Sequence, residues 1–238
     1  MSVIRGGGSG GADRGRETRF SASVFPRAWS LLRREGPIGF VRSIVRGYIF
    51  DYRRFFLYEY DLWSEACRRL PPLPDEFEAV FVADNETADR LAQERDEFRG
   101  LNPGGRRALQ SGAVALVIYK GSDVAHVGWI ATSQWARRVF ETLPYEVRFE
   151  HREAWAGAVF TVPRFRGRGL LTYSALCRFA YLRDAGFHTC RSAVETNNGA
   201  SNRVQMRLNP TVFAVGSSVK VLSWSKWTEH PPSVAGLR

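Results

Sequence analysis

The chain has 238 residues, 44% hydrophobic and 13% aromatic, which is ample for a packed core and far from a disordered composition. Its formal net charge is +10, yet lysines occur only at Lys120, Lys220 and Lys226, and residues 1–56 hold 11 arginines against 4 acids, so the charge belongs mainly to the front of the chain. With no recognition motif beside that charge, no spanning-length apolar run and no apolar signal-peptide core, a specific nucleic-acid partner is not expected and a cytoplasmic protein is.

Residues 1–20 are rich in Gly, Ser and Arg and read as a disordered tail. Residues 21–74 read as a basic, aromatic helical extension that ends in the stiff linker Leu70-Pro-Pro-Leu-Pro74. Within it Phe40, Val41, Ile44, Val45, Tyr48 and Ile49 share one face of a helix. Two readings of residues 27–60 stay open: a helix lying on a membrane surface, or a helix packed on the following domain or on a second copy in a homodimer.

After the linker the elements alternate. Phe77 to Ala83 reads as a strand, Glu86 to Phe98 as a helix opened by Asn85, and Asn102-Pro-Gly-Gly105 as a turn. Ala113 to Tyr119 and His126 to Thr132 read as strands joined by a hairpin turn at Gly121-Ser-Asp123. A strand from Ala154 to Val162 runs into Pro163, an arginine–glycine loop follows, and a helix from about Leu170 to Ala185 is stopped by Gly186. Thr189 to Glu195 is a strand, Ala200 to Leu208 a short helix capped by Asn198, Val212 to Trp224 at least one late strand, and 229–238 a tail. Cys67, Cys177 and Cys190 lack metal-ligand spacing and read as free thiols, and nothing suggests a metal site. The whole is a mixed α/β pattern.

The loop Pro163 to Leu171 carries the chemistry. A strand, a glycine loop and a helix start aim several free backbone N–H groups at one spot, with the helix dipole behind them, and such a spot suits phosphate.

Val162-Pro-Arg-Phe-Arg-Gly-Arg-Gly169 resembles the acyl-CoA pyrophosphate motif of the GNAT N-acetyltransferase superfamily. Asn198-Gly-Ala-Ser-Asn-Arg-Val-Gln-Met-Arg-Leu208, at the expected distance, resembles the segment that opens that superfamily's next helix. The resemblance covers about residues 75–228. It implies the GNAT fold, a mixed and mostly antiparallel twisted sheet flanked by helices. It also implies acetyl-CoA or another acyl-CoA as co-substrate, and acyl transfer to a small-molecule amine by direct attack in a ternary complex.

By the same resemblance, the pantetheine arm runs along Ala158 to Val162, with Phe160, Thr161 and Val162 as contacts. The pyrophosphate sits on Arg166, Gly167, Arg168, Gly169, Leu170 and Leu171, and Asn198 and Ser201 contact the arm. Arg166 and Arg168 either add side-chain charge or are solvated. Glycine at 167 and 169 keeps the backbone approachable and permits positive φ. Leu171 fills a position that is usually Gly or Ala, which predicts a tighter pocket, and Asn209-Pro210 predicts an altered turn into the next strand.

For catalysis, Gln205 occupies the place where many relatives carry a tyrosine acid, and an amide cannot serve as one. Tyr173 is the nearby phenol. Glu153 and His151, two apart at the start of a strand, are the candidate bases on one strand face, with Glu195 behind them. His126 and His188 read as strand-end residues. The missing tyrosine keeps open a non-catalytic CoA-binding or interaction module. The basic extension keeps open a membrane-surface acyltransferase acting on a lipid-linked or long-chain acyl substrate.

Overall fold

A computed structural model of the chain describes residues 50–222 and 224–232. One eight-stranded sheet organises them: β1 (Phe50–Asp61), β2 (Glu78–Val82), β3 (Val114–Lys120), β4 (Asp123–Ala131), β5 (Glu153–Thr161), β6 (Thr189–Glu195), β7 (Thr211–Val221) and β8 (Trp224–His230). The order across the sheet is β2-β3-β4-β5-β6-β1-β7-β8, and every neighbouring pair is antiparallel except β5 and β6. The helices are α1 (Glu65–Arg68), α2 (Asn85–Glu94), α3 (Gly105–Gln110), α4 (Gln134–Arg137), α5 (Leu170–Asp184) and α6 (Gly199–Arg207).

Strand alternation divides the core between the two faces. Phe55, Leu57, Val117, Val127, Trp129 and Trp155 point to one face, where they pack with Ala88, Phe98, Ala108 and Tyr145. Tyr58, Tyr60, Ile130, Ala154 and Ala156 point to the other, against Leu176, Phe179 and Leu182 of α5. The α5 helix ends as expected: Gly186 takes φ 82°, its N–H bonds Arg183 O at 2.8 Å, and Phe187 N–H bonds Leu182 O at 2.9 Å.

The largest departure from the sequence reading is β1. Residues 50–61 fall inside the helical extension expected over 21–74 and ahead of the domain expected over 75–228, yet they form a central strand. β1 pairs with β6 from Phe55 to Asp61 and with β7 from Phe50 to Glu59. The physical reason is burial on both sides. Phe55 and Leu57 enter one core and Tyr58 and Tyr60 the other, so the run shows no polar alternation by which periodicity could tell it from a helix. The folded unit therefore begins by Phe50, and the Pro-rich linker is an internal connection. The expected tail over 1–20 and the helical face from Phe40 to Ile49 lie outside the described residues.

Smaller differences have local causes. α2 is capped by Asp84 rather than opened by Asn85, because the Asp84 carboxylate accepts from Thr87 N–H at 2.7 Å. It ends at Glu94 instead of Phe98, where buried Arg99 gathers Asn85, Asp89 and Glu97 around its guanidinium. The turn at 102–105 leads into α3, which the sequence reading did not include. The late strand is two, β7 and β8, and β8 extends to His230, inside the tail expected from 229.

Candidate functional site

β5 and β6 are parallel neighbours only over Glu153–Trp155 and Thr189–Arg191. Beyond that they part, β5 following β4 and β6 following β1. The β4–β5 register shifts between Val127 and Trp129, opposite Ala158, which takes φ 46°. A bulge of this kind bends its strand and turns main-chain groups out of the ladder. The result is a wedge between Ala156–Val159 on one strand and Ser192–Glu195 on the other.

α5 and α6 flank the wedge through Leu171, Ala175, Arg178, Asn198, Ser201 and Gln205. This inner cavity, about 310 Å³, shares Val159, Leu171, Asn198 and Ser201 with an outer one of about 520 Å³. Phe160, Thr161, Arg166, Gly167, Gly169, Leu170 and Arg207 line the outer cavity. The two form one continuous path from the loop at 163–169 into the sheet.

Most of the residues assigned to the acyl-CoA loop are thus brought together, with corrections of detail. Gly167 and Gly169 take φ 79° and 77°, and a Cβ at either would meet no atom within 4 Å. Their glycine requirement is conformational, and the open space is what a ligand would need. The first bond within α5 is Tyr173 N–H to Gly169 O at 3.0 Å, so the N–H groups of Leu170 and Leu171 face the loop without an intrahelical partner. Arg166 N–H is spent on Pro163 O at 3.2 Å, which removes it from the expected set of free donors. The two arginines divide: Arg166 lines the outer cavity, whereas Arg168 pairs with Glu76. Val162 N–H bonds Ala125 O at 3.0 Å and so closes the β4 side rather than the cavity. Asn198 caps α6 by accepting from Ser201 N–H at 3.1 Å.

The candidate bases fare differently. Glu153 lies in the paired part of β5, 5% exposed, and none of its atoms lines the wedge. Its carboxylate accepts from Arg148 N–H at 2.8 Å, Arg148 Nε at 3.1 Å and Arg191 Nη2 at 3.2 Å, and Arg191 is shared with Glu59. These bonds occupy the oxygens of Glu153 in a structural role, so it is not a free base. His151 does not share a strand face with it, because Phe149–His151 is a 3-10 turn and Arg152 at φ 60° reverses the chain before β5 begins. His151 is exposed and beside Glu150.

Tyr173 faces Pro71–Pro74 instead of the wedge, and burial pushes its phenol up to about 12. Glu195 does line the inner cavity and pairs with Arg53 at 3.3 Å. His188 accepts from Trp63 Nε1 at 3.1 Å. His126 is a buried β4 residue 2.7 Å from Thr161 Oγ1 rather than a strand-end one, and burial lowers it to about 3.

Three wall residues carry polar groups that the sequence reading missed. Arg178 is 3% exposed and donates from Nε to Ser174 O at 3.1 Å and from Nη1 to Trp129 O at 2.9 Å, beside the β4–β5 register shift. Burial lowers its guanidinium to about 10. Ser192 Oγ is buried without a hydrogen-bond partner in the described structure. Tyr60, from β1, reaches across to α6 and donates to Gln205 Oε1.

Among the described residues no group of three or more His, Cys, Asp or Glu side chains is arranged to hold a metal ion, and no helix is long and apolar enough to cross a membrane. No protein-family model and no curated protein matches the chain. Solved structures do. A Drosophila protein from a structural genomics programme superposes with a TM-score of 0.50 at 16% identity, over 80% of this chain and 57% of its own. A GNAT-family acetyltransferase structure from Novosphingobium aromaticivorans has a TM-score of 0.47 at 14% identity, covering 72% and 65%. A GCN5-related N-acetyltransferase from Sphaerobacter thermophilus has 0.46 at 15%, covering 84% and 59%. With the first of these three the chain shares the fold, and it spans less than two thirds of the length of each of the three.

Proposed function

We propose that the chain is an acyl-CoA-dependent acyltransferase of the GNAT type, moving an acetyl or other acyl group to a primary amine by direct attack in a ternary complex. The observation that carries this reading is the wedge between β5 and β6, continuous with the glycine loop at the start of α5. An acyl-CoA supplies an activated thioester on a long arm that ends in a pyrophosphate. The chain offers a matching sequence of environments.

At the outer end, N–H groups of the loop and of the first turn of α5 hold phosphate oxygens, helped by the helix dipole. The side chains of Arg166 and Arg207, both lining the outer cavity, add charge there. Along the wedge, main chain released by the bulge at Ala158 pairs with the amides of the arm, while Asn198 and Ser201 bound the other side. At the inner end the parted strands leave a passage for the amine. The amine must be neutral to attack, and its proton passes to solvent at the open mouth of the wedge, since Glu153 is already saturated.

Thermal denaturation with acetyl-CoA and with CoA tests the cofactor. At a hundredfold excess over Kd a ligand stabilises by about 2.7 kcal/mol, or about 5–10 °C for a domain of this size. Gly169→Trp, which puts bulk into the loop at a positive φ, removes the shift. Absence of a shift with any acyl-CoA would overturn the reading. A binding-only module is the alternative that Gln205 favours, and release of free thiol in the presence of an amine panel separates the two.

A further inference from the structure

Arg178, on the wall of the inner cavity, is a charge without a counter-charge. It stands in the middle of α5, 3% exposed, with its guanidinium against β4 at Gly128, where a Cβ would come 3.0 Å from Arg178 Cζ. Nε donates to Ser174 O and Nη1 to Trp129 O, which uses two of the five N–H donors of a guanidinium. Nη2 has no hydrogen-bond partner among the described residues. The ionisable groups around Arg178 are Cys177, Cys190, Tyr60 and His126, and none is a carboxylate. Burial lowers the guanidinium to about 10, so it stays charged at neutral pH. A buried charge without a partner is costly, and a neutral amide could serve the same two carbonyls. The bonds to Ser174 and Trp129 therefore do not account for the charge.

The wall around it is made of donors. Ser192 Oγ lines the same cavity, buried and without a hydrogen-bond partner in the described structure. Ser192 is opposite Tyr58 in the β1–β6 register, so it lies on the sheet face that α5 covers. Gln205 has its Oε1 engaged by the Tyr60 hydroxyl, which leaves its N–H groups to bond a ligand. Glu195 is the one carboxylate of this wall among the described residues, and it lies three residues beyond Ser192, on the opposite face of β6, paired with Arg53 at 3.3 Å. Donors gathered around an unpaired guanidinium suit a planar anion with two acceptor oxygens. We infer that the inner end of the wedge is a carboxylate subsite, in which Arg178 supplies the charge and Ser192 a hydroxyl donor, so that one of the two substrates ends in a carboxylate.

This rests on the acyl-transfer proposal above and narrows its substrates. The carboxylate belongs either to the acyl group, as in a malonyl or succinyl thioester, or to the amine, as in an amino acid. An arm held at the loop 163–169 and laid along the wedge brings its own tip to this end, which makes the acyl group the first arm of the test. A guanidinium that served only the developing charge of the reacting thioester would not distinguish ligands with and without the carboxylate.

Calorimetry on the full chain measures both arms. In the first, stable CoA thioethers with a carboxyethyl or carboxypropyl tail are each compared with the matching carboxamide, which differs by a charge and hardly in size. In the second, glycine is compared with glycinamide in the presence of saturating CoA. Wild type should prefer the carboxylate by about tenfold or more in one arm, and that arm names the carrier. Arg178→Met should abolish the preference, and Ser192→Ala should lower it by about threefold or more. Each ratio compares two ligands on one protein, so a general loosening of the fold does not move it. If Arg178→Met does not fold, Ser192→Ala carries the test, because it removes a hydroxyl that has no partner among the described residues. No preference in either arm, a preference that survives Arg178→Met, or an unchanged ratio in Ser192→Ala overturns the assignment. Failure of wild type to bind CoA or any of the thioethers overturns the acyl-CoA proposal, and the subsite with it.

Discussion

Gly157→Ala adds one methyl group to the wall of the wedge, and the geometry sets its cost. A Cβ at 157 would lie 2.3 Å from Trp155 Cζ2, 2.8 Å from Cη2 and 2.9 Å from Cε2, far inside the ordinary contact range of 3.4–4 Å. The indole folds over Gly157 because residues two apart in a strand share a face. It would have to move by about 1 Å, and it has nowhere to go. Trp155 is 2% exposed, and Phe140 stacks on it at 6.4 Å with planes 18° apart.

Overpacking of this kind costs about 1–3 kcal/mol. For a folded unit of this size that corresponds to a fall in Tm of about 3–10 °C. Thermal denaturation followed by circular dichroism measures it. A double-mutant cycle identifies the cause: with Trp155→Leu in the background, Gly157→Ala should cost less than about 1 kcal/mol, since the ring it collides with is gone. A variant whose Tm stays within about 1 °C of wild type, or strictly additive effects, would refute the packing argument. The contrast with Gly169, whose Cβ direction is empty, is that its replacement is opposed only by φ 77° and by whatever ligand occupies the loop.

His126 gives a pH dependence. Its folded value is lowered to about 3 by burial, so between its ordinary value near 6.5 and about 3 the unfolded chain binds a proton that the folded one does not. Its contribution is therefore intact above about pH 6.5 and lost progressively as pH falls, and urea titrations should show His126→Gln losing less stability than wild type between pH 7 and pH 4. Asp84→Ala removes the cap of α2, with its bonds from Thr87 N–H at 2.7 Å and Thr87 Oγ1 at 3.0 Å, and should cost about 0.5–2 kcal/mol in chemical denaturation.

The sequence alone determined those parts of the molecule whose physics is local. Glycine at 167, 169 and 186 with a helix between marks a loop, a helix start and a helix stop, because few other residues adopt those φ values. Asn198 marks a cap, and the hairpin at Gly121 follows from turn chemistry. Hence the loop that lines the outer cavity was legible in the sequence. What the tertiary structure decided are the long-range pairings. Glu153 reads as a lone carboxylate until Arg148 and Arg191 close on it, and Arg191 lies 38 residues away.

Residues 50–61 read as part of a helical extension until β6 and β7 receive them on either side. Nothing local predicts that placement, since the part from Phe55 to Tyr60 enters both cores and carries no pattern of its own, and the strand's partners lie more than 100 residues later. It is that insertion which carries Tyr60 to Gln205 and completes the inner end of the wedge.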